Sequence, residues 1–124
     1  MSTYIEWIVY KGHKILLAKF TGITDEKEYM TAFDEMEKEV VQLPKGSRPL
    51  TLINVSNSVL SSTITERGKK FVAAKQAAGI PESPTIIVGV SGFAKAIVQA
   101  MQFFRKELQM ADTMEEAKEW LIKQ

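Results

Sequence analysis

The chain has 124 residues, a formal net charge of +1 and no cysteine. That length suits one domain over residues 1–124, which buries roughly two thirds of its unfolded surface without a disulfide or structural metal. The missing cysteines exclude a disulfide framework, a thiolate zinc site and a cysteine nucleophile, and the balanced charge gives no general pull toward nucleic acid.

The start, Met1-Ser-Thr-Tyr-Ile-Glu-Trp7, lacks the basic and apolar regions of a secretory signal. No apolar run approaches the about 20 residues that span a bilayer. The expected setting is the cytosol, without stable membrane insertion.

Tyr4–Tyr10 reads as a strand, with Tyr4, Glu6 and Ile8 alternating with Ile5, Trp7 and Val9. Lys11-Gly12-His13 is a turn, and Lys14–Thr21 a second strand centred on Ile15-Leu16-Leu17-Ala18. Gly22 breaks it. Together they predict an antiparallel hairpin.

Thr24 and Asp25 both suit the N-cap of a first helix. Its buried stripe is Tyr29, Phe33, Met36 and Val40. Pro44–Pro49 is a loop by composition, Leu50–Val55 a third strand and Val59–Thr63 a further loop. A second helix runs from about Ile64 to Ala78, with Phe71 on its buried stripe. Gly79 fits a left-handed position after it and Pro81 stops it.

A β-branched run, Thr85–Val88 with Val90, leads through Ser91-Gly92 straight into a third helix. The stripe of that helix is Phe93, Ile97, Ala100, Met101, Phe104 and Leu108. Gln109–Ala111 adds a short edge strand. Thr113 and Glu116 form a capping box for a last helix that buries Met114, Ala117 and Leu121, with Trp120 alongside. The alternation predicts an α/β fold. Its mixed sheet has four to five strands, a parallel core and an antiparallel first hairpin, and four helices cover it. Ligand sites in such folds lie at the carboxyl ends of strands, where Ser91 and Gly92 sit.

Charge is uneven. Seven acids and two lysines fall between Asp25 and Glu39, and Lys69, Lys70 and Lys75 cluster in the second helix. These read as solvated faces, or as a charged face selecting a protein partner. Arg67 and those lysines lack stacking aromatics for a nucleic-acid platform, Phe71 being a core residue. Glu115, Glu116 and Glu119 read as a solvated face, with Glu119 and Lys123 at helical i,i+4 spacing.

Candidate chemistry is sparse. Gly89-Val-Ser-Gly92 falls short of a nucleophile elbow, because Phe93 stands where the last glycine belongs. It also lacks the spacing and lysine of a P-loop. His13, the single histidine, sits between Lys11 and Lys14, which repel a cation, so no metal site is expected. No catalytic constellation and no cofactor motif are readable. Phe103 lies off the third helix's stripe, beside Arg105 and Lys106, and suits a protein or homodimer contact or a pocket rim.

Four stretches resemble the small SpoIIAA-like proteins of the STAS and CRAL-TRIO-related fold. They are Ile5-Glu-Trp-Ile8, Leu50-Thr-Leu-Ile-Asn-Val55, Val88-Gly-Val-Ser-Gly-Phe93 and Asp112-Thr-Met-Glu-Glu-Ala-Lys-Glu-Trp-Leu121. The resemblance covers nearly the whole chain. It implies a non-catalytic module that binds protein, as anti-sigma-factor antagonists do. Those relatives are switched by phosphorylation of a serine in an Asp-Ser-Ser/Thr-Gly motif after the third strand. Here that stretch reads Leu60-Ser61-Ser62-Thr63, with Leu60 in place of the acid and Thr63 in place of the glycine. Ser62 or Ser61 is thus the expected regulated hydroxyl. Asn57, Ser58, Thr63, Ser91, Gly92 and Phe103 complete the expected partner or ligand surface. The CRAL-TRIO likeness implies an alternative, a carrier or sensor of a lipid or other apolar small molecule.

Overall fold

The computed structural model describes residues 3–59, 61–103 and 105–124, without the side chains of Ser62 and Phe93. Its strands are β1 (Ile5–Tyr10), β2 (His13–Lys19), β3 (Leu50–Asn54), β4 (Thr85–Val88) and β5 (Leu108–Ala111). Its helices are α1 (Glu26–Val41), α2 (Ser62–Ala77), α3 (Phe93–Gln102) and α4 (Met114–Ile122).

The strands lie in the order β1-β2-β3-β4-β5. The hairpin β1–β2 is antiparallel, with Ile8 opposite Ile15, and every later pair is parallel. Each crossover therefore adds its strand on the same side of the last. Crossovers of one hand then set their helices on one face of the sheet. Side-chain alternation separates two cores. Leu16, Ala18, Ile53, Ile87 and Leu108 pack under α1, α2 and α3, while Ile15, Leu17, Leu52, Ile86 and Val88 pack against Ala117 and Leu121 of α4.

The three-helix face is the aromatic one. Phe20 meets Tyr29 and Phe33 at ring-centroid distances of 5.8 and 5.5 Å, and Phe33 meets Phe71 at 6.4 Å. The expected α1 stripe is buried, and Asp25 rather than Thr24 is the N-cap, accepting from the Lys27 amide. Gly79 takes the left-handed conformation expected of it, at φ +81°. Gly68 lets α3 close on α2, since a Cβ there would stand 3.2 Å from Met101 Cε.

Several boundaries differ from expectation. β2 begins at His13 and ends at Lys19, β3 stops at Asn54 and β4 at Val88, and α2 starts two residues early at Ser62. The larger correction is α3, which ends at Gln102. Leu108 is buried as the first residue of β5, and Ala100 is exposed. Val98 takes a place on the buried side of α3 with Met101. Phe104, assigned to that stripe, and Leu60 lie outside the described residues, as does the Phe93 side chain.

Candidate functional site

Three of the expected surface residues meet at the carboxyl ends of β3 and β4. Asn57, Ser58 and Ser91, with Val55, Gly89, Val90 and Ala94, line a cleft of about 110 Å³. The local sequence builds it. Asn54 Oδ1 accepts from the Ser56 amide at 3.0 Å, which turns the chain sharply after β3. Asn57 follows at φ +59°, a conformation that asparagine tolerates better than most residues. Gly89 at φ +92° sits hard against this turn. A Cβ there would stand 2.6 Å from the Ser56 nitrogen.

Ser58 is committed to structure. Its hydroxyl donates to Val55 O at 2.6 Å and pairs with the Tyr29 hydroxyl. Burial raises the Tyr29 pKa and the bond to Ser58 opposes that. The neighbouring amides are tied down as well, Gly22 N to Ser56 O and Val59 N to Ile23 O. Asn57, Ser91 and Gly92 are exposed, and so is Val59, at 57%.

Ser61 is the N-cap of α2, yet its hydroxyl makes no cap bond. Among the described residues its Oγ is buried without a hydrogen-bond partner. The Ser62 side chain lies outside the described residues. Thr63 is exposed in the first turn of α2, away from the cleft lining. Phe103, 89% exposed, belongs elsewhere. It caps the far end of α3, about 15 Å along the axis from Gly92. Ser91 and His13 sit at opposite ends of the parallel sheet, so they form no dyad. Among the described residues no group of three or more His, Asp or Glu is placed to hold a metal.

The solvated-face reading of the basic residues of α2 needs correction. Lys69 and Lys70 are exposed, but Lys75 is buried. Arg67 is largely buried too and pairs with Asp34 and Glu37 of α1 at 2.9 and 3.0 Å. On α4, Glu119 bonds Lys11 at 3.0 Å, and this bond is the main cause of its lowered pKa.

Sequence reasoning missed a polar cluster at the other end of the sheet. Lys75 Nζ donates to Ser83 Oγ at 3.2 Å, and Arg105 Nη2 donates to Thr85 Oγ1 at 2.9 Å. All four residues are buried. A signal was available, because Ile64, Phe71 and Lys75 fall at helical spacing on one stripe.

Between the sheet and α1–α3 lies a cavity of about 40 Å³, lined by apolar side chains such as Phe33, Phe71 and Met101, with Arg105. A lipid does not fit such a volume. Even an engineered cavity that admits benzene is on the order of 150 Å³. No helix among the described residues is long and apolar enough to cross a membrane.

No family model and no curated protein matches the chain. A solved structure that it does resemble is that of an uncharacterized protein of the DUF3478 family, with a SpoIIAA-like fold, from Shewanella loihica PV-4. The TM-score is 0.66 and the identity 15%, over 94% of this chain and 91% of that one. The chain has a SpoIIAA-like fold, with a mixed five-stranded sheet and four helices among the described residues.

Proposed function

We propose that this chain is a non-catalytic, cytosolic STAS-type module that works by binding a protein partner. Its working surface is Asn57–Val59, the N-terminus of α2 and the Ser91-Gly92 turn. The observation that carries this reading is the meeting of Asn57, Ser58 and Ser91 around one shallow cleft beside exposed Val59. Exposed polar groups around an apolar contact suit a protein surface. Phosphorylation at Ser61 or Ser62 is the proposed switch. The first turn of α2 carries no acid, so a phosphate there meets free amides and the positive end of the helix dipole.

A photo-crosslinking residue placed at Asn57 or Ser91, and at Lys45 as control, tests the surface in host cells. One polypeptide captured from both cleft positions and not from Lys45 is the expected result. Capture of nothing, or of the same set from all three, overturns it. Ser61→Asp or Ser62→Asp should then change that capture, and an unchanged yield removes the switch.

The apolar cavity supports a second reading, a carrier or sensor, only for an apolar molecule smaller than benzene. A bound organic mass that leaves on denaturation, seen by native mass spectrometry, is its test.

A further inference from the structure

The amino ends of β4 and β5 bury two cations together. Lys75, near the end of α2, and Arg105, three residues beyond α3, are each 4% exposed. Lys75 Nζ donates to the hydroxyl of fully buried Ser83 and stands 5.6 Å from the Phe71 ring centroid. Among the described residues Arg105 Nε is buried without a hydrogen-bond partner, and Glu82 Oε1 lies 4.0 Å from it as an ion pair. The carboxylates nearby have other duties. Glu107 pairs with Arg48, and Glu82 accepts from the Glu107 amide. Among the described residues, Lys75 has no carboxylate within ion-pair distance.

An ammonium in such a place is poorly solvated and faces a like charge, whereas the neutral amine is not penalised. Burial, and next the charge of Arg105, bring Lys75 down to about 8, against a weaker opposing pull from Glu82 and Glu107. At pH 8 about half of it is then neutral, whereas an ordinary lysine is neutral on the order of 0.3% of the time. The cluster has a buried nucleophilic amine, and it has a neighbouring guanidinium whose Nε is ion-paired with Glu82 but, among the described residues, has no hydrogen-bond partner. A group that turned the amine into an anion would satisfy both.

We propose that Lys75 is a carbamylation site, at which the neutral amine adds carbon dioxide to give a carbamate paired with Arg105. The amine lone pair forms an N–C bond to CO₂. One C=O π bond breaks, its electron pair going to oxygen, and one amine proton leaves to buffer. No oxidant or cofactor enters. The product replaces two adjacent cations by an anion–cation pair, and Ser83 Oγ becomes a donor to it. The apolar cavity of about 40 Å³ touches this cluster through Phe71 and Arg105. That volume admits a molecule of one or two waters' size beside Arg105. The site is independent of the partner surface at the opposite end of the sheet.

The test uses the whole chain in ¹³C-bicarbonate at pH 8. Carbamates are trapped as ethyl esters with a trialkyloxonium salt and mapped by proteolysis and mass spectrometry. A reference peptide with a free α-amine in the same tube is the positive control. Labelling of Lys75 at least about tenfold above Lys69 and Lys70 is expected, rising between pH 7 and 8.5. A labelled reference peptide with an unlabelled Lys75, or equal labelling of all three lysines, overturns the proposal. Lys75→Arg keeps the charge and should remove the ¹³C carbamate resonance that Lys75 contributes, leaving those of the other amines unchanged. Arg105→Met keeps the amine and should lower Lys75 labelling several-fold, and unchanged labelling would overturn the assigned pairing.

Discussion

At the carboxyl ends of β3 and β4 the polar groups are amides and hydroxyls, and Asn57, Ser91 and Gly92 among them are open to solvent. At the amino ends of β4 and β5 they include the charged groups Lys75 and Arg105, buried with Ser83 and Thr85. The first region is shaped by backbone conformation, because three of its residues hold positive φ, Asn57, Gly89 and Gly92. The second is shaped by desolvation. One end thus offers a surface with almost no electrostatic cost, and the other stores an electrostatic cost with almost no surface. Mutations at the two ends should therefore fail in different ways.

The largest effect is expected at the carboxyl end. Gly89→Ala adds a Cβ against the Ser56 backbone at φ +92°, and both the left-handed conformation and the clash oppose it. A loss of about 3 kcal/mol or more in urea denaturation is expected. Gly92→Ala is the control, because it also has positive φ but nothing within 4 Å of the new Cβ. Conformation alone, φ +55° with ψ −129°, should cost it about 2 kcal/mol. Equal losses would show that the packing of the β4 turn on Ser56 is not what shapes the cleft.

At the amino end the effect depends on pH. Lys75 falls from the ordinary 10.5 to about 8 in the folded protein. Folding therefore favours the neutral amine, and stability rises as pH climbs from 8 toward 10.5. Below 8 the full cost is present, on the order of 3 kcal/mol. Lys75→Met removes the titration, so it should exceed the wild type in stability at pH 7 and lose that advantage by pH 10.5. Tyr4, Tyr10 and Tyr29, whose pKa values are raised, titrate in both proteins and cancel in the difference. Parallel denaturation curves across this range would mean that Lys75 is not buried as an ammonium.

The contrast also explains what was legible in the sequence. The carboxyl-end site follows from topology, because strand order dictates where Asn57 and Ser91 meet. Caps such as Asp25 and Thr113 act within a few residues and read directly. The end of α3 did not, because Leu108 continues the helical spacing of Ile97 and Met101 while a strand buries it. Apolar period tells that a residue is inside and not which element puts it there. Lys75 was hidden by its type. Lysine is almost never fully buried, so its place on the stripe of Ile64 and Phe71 gave way to its charge. Phe103 lay close to Ser91 in sequence, but a helix carries it to the other end of the molecule.

The smallest expected effect bears on the proposed switch. Ser61 and Thr113 are both N-caps, of α2 and α4. Thr113 Oγ1 accepts from the Glu116 amide at 3.1 Å, whereas Ser61 Oγ is desolvated and has no hydrogen-bond partner among the described residues. Thr113→Ala should therefore cost about 1 kcal/mol. Ser61→Ala gives up no bond and relieves a buried unpaired hydroxyl, so its stability should stay within about 0.5 kcal/mol of the wild type or rise. Urea denaturation of the two variants side by side decides the matter. Equal losses would place the Ser61 hydroxyl on the free amides of α2 in solution, and a phosphate on Ser61 would then inherit a bond already made. A neutral Ser61→Ala leaves those amides open, so a phosphate at Ser61 or Ser62 would have to form every contact anew and the α2 terminus would change most on modification.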